Sequence, residues 1–458
     1  MTVQFIERKK GTSMALSHNF TSGPIAGPLF RFALPVMGAL FLQSLYGAVD
    51  LFIVGHFASS ADVSAVSTGS QVLQTFTMLT ASFSMGITIL MGQYIGAGKG
   101  SQGGKIAGNG ICLCLLLGLF FTLCLTVFAP TFAGWMNAPT EAFEKTVSYI
   151  RICGSGMVAI ICYNLIGSIF RGLGDSRTPL VTVAIASVFN TFGDLLLVAF
   201  FHQGAAGAAL ATVAAQALSV VISYGLIRRK GLPFPFSLSM VRLHWPVAIR
   251  IVGLGLPIAL QDLLVGLSFL LIMSIVNHIG LTASASIGVS EKICGFIMLI
   301  PGSFMQSMSA FVAQNIGARR FDRAERALFS GIAMGLAAGV CMFTISFFYG
   351  TRLTALFTSD EAVILGAADY LKAYSIDCLL TAILFSSIGF FNGLGMTRFV
   401  MIQGIVGAFG VRVPVSYLMS LEVPPRLFHI GLATPASSAV QILLCVMAFM
   451  YVKKKRKN

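Results

Sequence analysis

The sequence predicts an all-α polytopic membrane protein, with twelve transmembrane helices in two parallel six-helix repeats. Three observations predict this fold class. The composition is 56% hydrophobic and only 10% charged, with a mean hydropathy of +0.87. Basic residues alternate between successive loops, and the second half of the chain repeats motifs of the first. Each observation has a physical basis that the following paragraphs take in turn.

Apolar runs follow one another from residue 29 to residue 452, and each is long enough to cross a bilayer, which takes about 20 residues. We expect helical spans over residues 29–56, 63–95, 105–131, 142–170, 178–201, 205–227, 246–279, 283–315, 327–349, 361–391, 399–420 and 428–452. The runs are continuous, whereas membrane β-strands alternate apolar and polar residues. The sequence therefore favours helices.

Lysine and arginine concentrate in every second loop. The basic side holds 23 of the 30 basic residues, and the other side has little beyond Lys145, Arg352 and Arg426. Because cytoplasmic loops carry the excess of Lys and Arg, we expect a multi-pass membrane protein with both termini in the cytoplasm. The net charge of +14 then reflects topology, not nucleic-acid binding.

Four short motifs recur at an offset of 221 to 222 residues. Leu34-Pro35 matches Leu256-Pro257, for example, and residues 92–97 match residues 313–318. Each half has an even number of spans, so the two halves share one orientation, as in parallel-repeat transporters. The predicted organisation is a cytoplasmic N-terminal segment (1–28), an N-terminal six-helix lobe (29–227), a cytoplasmic linker (228–245), a C-terminal six-helix lobe (246–452) and a basic cytoplasmic tail (453–458).

Two carboxylates lie inside spans of the N-terminal lobe. Asp50 is in span 1 and Asp194 is in span 5, where Asn190 shares its helical face four residues earlier. A charge at membrane depth is costly and marks a functional site by default. Two nearby carboxylates in a dehydrated site cannot both ionise cheaply, so together they favour holding a proton. The alternatives are a solvated Asp50 near a helix end and a purely structural Asn190.

The C-terminal lobe carries a different set of embedded charges. Asp262, Lys292 and Asp377 form a possible polar site, accompanied by Glu291 and Arg412. Lys292 either pairs with Asp377 or Asp262 or contacts a substrate, and both alternatives stay open. Asp262 lies near a helix start, where its charge also suits the helix dipole.

Motifs of enzymes and of nucleotide-driven pumps are absent from the sequence. The nine cysteines show no paired spacing, so we expect neither disulfides nor a metal site. The sequence contains no HExxH, no GxSxG and no P-loop. We therefore expect a protein that is not an enzyme and binds no cofactor.

Several motifs in combination resemble the multidrug and toxic compound extrusion (MATE) family of transporters over nearly the whole chain. They include Asp50 with Gly55 in span 1, the run Gly-Leu-Gly-Asp-Ser-Arg-Thr-Pro at 172–179 and the run Gly-Ala-Ala-Gly-Ala-Ala-Leu-Ala-Thr at 204–212. The resemblance implies two six-helix lobes around a central cleft. It also implies export of cationic or amphipathic small molecules in exchange for protons or sodium ions, by rocker-switch alternating access.

In the similar proton-coupled bacterial branch, the positions that match the acids of spans 1 and 5 carry the coupling site. The resemblance thus implies a proton site of Asp50, Asn190 and Asp194, with Thr212 nearby. Sodium-coupled relatives have a Glu within span 7, where this chain has Val265, and an Asp in span 10 about one turn from Asp377. A sodium-coupled antiporter and a lipid-linked oligosaccharide flippase of the same superfamily are the alternatives. The expected partners are small-molecule substrates and membrane lipids, with the protein a monomer that binds no nucleic acid.

Overall fold

The computed structural model describes residues 20–423 and 425–457, and within these ranges it is helical with no strand. The predicted basic residues at positions 8–10, most of segment 1–28 and the last residue of tail 453–458 lie outside the described residues. The helices are α1 (Ala26–Phe57), α2 (Ser60–Gly96), α3 (Gly103–Val127), α4 (Ala129–Trp135), α5 (Phe143–Ser155), α6 (Met157–Gly172), α7 (Arg177–Asp194), α8 (Gly204–Lys230), α9 (Trp245–Asn277), α10 (Leu281–Gly317), α11 (Phe321–Phe348), α12 (Gly350–Thr354), α13 (Glu361–Leu394), α14 (Thr397–Ile405), α15 (Val413–Ser420), α16 (Leu427–Gly431) and α17 (Ala433–Lys457).

Eleven helical segments of the described chain are long and apolar enough to cross a membrane, and one bent pair supplies a twelfth. The predicted all-α fold with twelve spans is therefore confirmed, and the predicted span limits agree with most helices to within a few residues. The bent pair is span 4, in which α5 and α6 meet at 49°. Gly156 lies at this bend against Val213 of α8, where a side chain would collide with the valine.

Two spans contain a wide π-helical turn that the hydropathy pattern did not indicate. One turn, Leu195–Phe200, follows α7, and the other, Val406–Arg412, joins α14 to α15. A π-turn adds one residue to an α-helix and is frequent at functional sites. Span 9 begins at Phe321, six residues before its apolar run, because the charged residues ahead of the run continue the helix.

The described chain divides into two compact units. The first unit is residues 34–259 with the short pieces 20–22 and 313–319, and the second is residues 23–33, 260–312 and 320 onward. Each unit has its own apolar core. Ile87, Met91 and Ile161 are fully buried in the first, and Val276 and Leu371 are fully buried in the second. The predicted lobe limits at 227 and 246 stay predictions.

The predicted linker packs on α3 in the first unit. The main chain of His244 donates a hydrogen bond of 2.6 Å to the Asn109 side chain of α3. Gly104 and Gly108 of α3 lie so close to the carbonyl groups of Pro235 and Met240 that a side chain at either glycine would overlap them. The glycines of α3 thus fix the path of the linker.

The repeated motif at 92–97 and 313–318 marks a second close approach within the first unit. Gly96, at the end of α2, lies against the main chain of Gln314, and Gly317 lies against the main chain of Gln93. A side chain at either glycine would collide with the facing backbone. The two copies of the motif therefore form one reciprocal helix contact.

Candidate cation-coupling site

Asp50 lies buried at the centre of a polar cluster in the first unit, with 3% of its surface exposed. Thr212 of α8 donates a hydrogen bond of 3.1 Å from its hydroxyl to Oδ2 of Asp50. The side chains of Asn190 and Asp194 on α7 also approach the Asp50 carboxyl group. The structure thus brings together all four residues of the predicted site, from three different helices.

The cluster leaves several buried polar atoms without a hydrogen-bond partner. These atoms are the other Asp50 oxygen, both Asp194 oxygens and the Asn190 amide nitrogen. Two ionised carboxylates have no hydrogen to share, so an Asp50–Asp194 contact becomes a hydrogen bond only when one of them carries a proton. An unpaired buried polar group is costly, and a proton between the acids removes part of that cost.

No basic side chain of the described residues acts on this pair. The groups that act on the two acids include each other, Asn190 and Thr212, and none of them is a lysine or an arginine. Asp194 is fully buried. Within the described chain, no fixed positive side chain compensates the charge of the two carboxylates.

Small residues allow α7 and α8 to pack closely at this site. Gly193 lies next to Ala211, where a larger side chain would crowd the alanine. The helix-opening run at 204–212 contributes fully buried alanines, including Ala208 and Ala209. The π-turn begins directly after Asp194, at Leu195.

Three side chains near the acids were missed in the sequence analysis. Tyr46, Tyr149 and Cys153 all lie within electrostatic reach of Asp50. Tyr46 precedes Asp50 by four residues on α1, so helical spacing would have placed it on the same face. Tyr149 and Cys153 share a face of α5, but the sequence holds no signal that this face points to Asp50.

The second unit places the predicted C-lobe residues apart. Asp377 on α13 is 2% exposed and interacts with Ser438 and with Arg412. Lys292 is exposed and makes no ion pair with any described residue. Asp262 is half-buried in the middle of α9 and not near a helix start as predicted, so it does not face the helix dipole there, and it is not among the groups that act on Asp377. The cation that acts on Asp377 is thus Arg412. The pairing of Lys292 with Asp377 or Asp262 is not observed.

Comparison with known proteins places the chain in a family. The family model MatE matches the chain twice, at residues 35–196 and 257–418. The chain belongs to the MatE family. The second match begins and ends 222 residues after the first, so the resemblance to MATE transporters and the internal duplication are both confirmed.

Known MatE relatives share nearly the full length of this chain. The probable multidrug resistance protein YoeA of Bacillus subtilis is 25% identical over 442 residues, which is 93% of this chain and 94% of the relative. The multidrug export protein MepA of Staphylococcus aureus is 22% identical over 401 residues, or 88% of each chain. A crystal structure of MATE in the bent conformation has a TM-score of 0.90 at 20% identity and covers 98% of this chain and 100% of that one.

The two MatE matches relate positions of the first unit to positions of the second. At the offset of 222, Asp50 corresponds to Ile272, Asn190 to Arg412 and Asp194 to Ser416. The offset is 221 where Arg177 matches Arg398, and it becomes 222 by the end of the match. The extra residue is accounted for by the π-turn Val406–Arg412, which lies between these two points.

Proposed function

We propose that this chain is a secondary active transporter that exports cationic or amphipathic small molecules in exchange for protons, by rocker-switch alternating access. Membership of the MatE family and the names of the relatives, which denote multidrug resistance and multidrug export proteins, support export of small molecules. The choice of a proton as coupling ion rests on the acidic cluster around Asp50.

The observation that carries the proposal is the buried pair Asp50 and Asp194 with no basic neighbour. Protonation of this pair removes a buried negative charge and supplies the hydrogen that joins the two carboxyl groups. Deprotonation leaves two repelling carboxylates and favours a different arrangement of α1, α7 and α8. A ligand that binds two conformations unequally shifts their populations, so a proton at this site couples its gradient to the transport cycle.

The proposed coupling requires neither a cofactor nor a metal ion. Thr212 supports the carboxyl pair by donating a hydrogen bond to Asp50, and we expect Asn190, whose amide nitrogen has no partner in the structure, to donate to the pair when it is ionised. The buried cluster around Asp50 is acidic, which favours cationic cargo over the anionic pyrophosphate of a lipid-linked sugar. The protein would act as a monomer surrounded by membrane lipids, with small molecules and not nucleic acid as its partners.

Transport in proteoliposomes tests the proposal directly. Purified protein is reconstituted and loaded with a fluorescent organic cation, and the movement of this cation is followed under a pH gradient, a sodium gradient or neither. We expect the pH gradient alone to drive transport, accompanied by proton movement in the opposite direction. Transport that requires sodium and ignores pH would contradict proton coupling while leaving the efflux function intact.

The location and topology are part of the same proposal. We place the protein in the bacterial plasma membrane with both termini in the cytoplasm, as the distribution of Lys and Arg predicts. A green fluorescent protein fused to the C-terminus should fluoresce, and alkaline phosphatase fused there should be inactive. The reverse pattern would contradict the even number of spans or the assigned orientation.

A further inference from the structure

Arg412 and Asp377 are buried opposite charges in the second unit that the proposed proton site does not use. Arg412 ends the π-turn of span 11 and is 6% exposed, and Asp377 on α13 is 2% exposed. The two groups attract each other electrostatically, but they form no direct ion pair. A buried charge without compensation is strongly unfavourable, so each of these residues needs the other.

The surroundings of Arg412 hold it in place as a fixed cation. Its Nη1 atom donates a hydrogen bond of 3.2 Å to the hydroxyl of Ser268, and its guanidinium carbon lies 4.4 Å from the ring centre of Phe269. Both contacts come from α9. A guanidinium is always charged and is well suited to stacking on aromatic rings. Arg412 is therefore anchored on α9, and its positive charge acts on Asp377 of α13.

Several buried polar atoms around the Arg412–Asp377 pair lack a hydrogen-bond partner. Nε of Arg412, Oδ1 of Asp377 and the hydroxyl of Ser416 are buried without a partner. Within the described residues, Ser438 is the side chain that acts on Asp377 as a hydrogen-bond partner. The carboxylate thus depends on the Ser438 hydroxyl and, as its source of positive charge, on Arg412.

We propose that Arg412 is a built-in counter-cation for Asp377, so that the second unit takes up no coupling cation and coupling is left to the acidic pair of the first unit. This proposal rests on the proposed antiport function, because it concerns which embedded acid binds a coupling ion. It follows from the comparison of the two units, since Arg412 occupies the place of Asn190. In the first unit this place holds a neutral amide, and the acids beside it have no fixed cation.

Other titratable groups around the pair do not supply this charge. Five other titratable residues of the described chain act on Asp377, on Arg412 or on their immediate neighbours. They are the phenols Tyr370 and Tyr374, the thiols Cys294 and Cys378, and the acid Glu291. None of them is cationic. Removal of the guanidinium therefore leaves Asp377 to acquire a proton or a small cation from solution.

The test measures thermal unfolding of purified protein in detergent, with sodium chloride replaced by choline chloride at constant ionic strength and with pH varied. Asp50→Asn and Asp194→Asn are present in every variant, so proton binding in the first unit does not contribute to the signal. We expect Arg412→Gln to melt at a higher temperature when sodium replaces choline or when pH is lowered. The protein with Arg412 intact and the Arg412→Lys variant should show neither the response to sodium nor the response to pH.

Asp377→Asn added to Arg412→Gln should abolish the new response, because the uncompensated carboxylate is gone. If Arg412→Gln alone fails to fold, recovery of folded protein in this double variant supports the proposal, and no recovery overturns it. A folded Arg412→Gln protein that is indifferent to sodium and pH also overturns it. The readout requires no transport, so its failure is distinct from a failure of the proposed antiport function.

Discussion

The acidic cluster of the first unit and the Arg412–Asp377 pair of the second unit occupy related parts of a duplicated scaffold but differ in charge. Asp50 and Asp194 are two acids without a fixed cation. Asp377 is one acid with Arg412 as its cation. The first arrangement changes charge when a proton binds or leaves, whereas the second keeps its net charge.

This difference shows how a duplicated chain can separate two tasks. In the proposed mechanism the titratable pair responds to the proton gradient, and it costs stability whenever it is ionised. A neutralised pair stabilises its unit only while both partners are present. Substitutions in each unit separate these two properties.

Neutralising either acid of the first unit should abolish proton-driven transport. Asp50→Asn and Asp194→Asn each remove one carboxyl group, so the proton can no longer be shared between two acids. The matched control is Asp377→Asn, which should retain its response to a pH gradient despite a lower yield of folded protein. Transport of a fluorescent cation in proteoliposomes checks all three variants, and normal pH-driven transport by either first-unit variant would refute the assignment.

Loss of the Thr212 hydroxyl should weaken coupling without abolishing it. A hydrogen bond to a charged group contributes about 1.5–3 kcal/mol, so Thr212→Ala should slow proton-driven transport roughly tenfold or more. Thr212→Ser keeps the donor to Asp50 and should stay close to the parent. Equal rates for the alanine and serine variants would show that the 3.1 Å hydrogen bond plays no part in coupling.

Two carboxylates anchor the starts of spans 6 and 12, and their removal should lower the free energy of unfolding by different amounts. Asp62 accepts hydrogen bonds from Lys145 at 2.7 Å and from the main chain of Ala205 at 3.1 Å, whereas Asp369 accepts one from the main chain of Phe428. Asp62→Ala should lower the free energy of unfolding by about 2–3 kcal/mol and Asp369→Ala by about 1 kcal/mol. Thermal or denaturant unfolding in detergent measures both, and a larger loss at Asp369 would contradict this ranking.

Lys292→Gln should have the smallest effect on stability, because Lys292 is exposed and makes no ion pair within the described residues. The change in the free energy of unfolding should stay within about 0.5 kcal/mol. A normal melting temperature combined with altered transport would assign Lys292 to substrate contact. A large loss of stability would instead restore the structural pairing that the sequence left open.

Much of the fold could be predicted from the sequence because hydropathy and charge act along the chain. The bilayer fixes the length of each span, and the distribution of Lys and Arg fixes the expected orientation. The bend at Gly156 and the two π-turns could not be predicted in this way. They depend on contacts between distant segments, such as Gly156 against Val213, and not on the apolar content of each run.

The acids of the candidate site were predictable for a similar reason, since charged residues stand out in apolar spans. Tyr149 and Cys153 were not, because the sequence of α5 does not indicate which neighbour its buried face meets. The role of Arg412 was also missed, and Lys292 was considered in its place. Sequence alone cannot show that Lys292 is exposed while Arg412 stacks on Phe269 and acts electrostatically on Asp377.

Span 11 contains the π-turn Val406–Arg412. Up to Arg412 it has one residue more than span 5 has up to Asn190, at the offset of 222. Each residue turns an α-helix by about 100°, so an extra residue in a regular helix would rotate every side chain that follows it. A π-turn takes up one extra residue within its wider turn, so the helix after it keeps the same face toward the interior. At the offset of 222, Arg412 then stands at the position of Asn190. Duplicated halves can thus differ by one residue in length and in buried charge without any change in the number or direction of their spans.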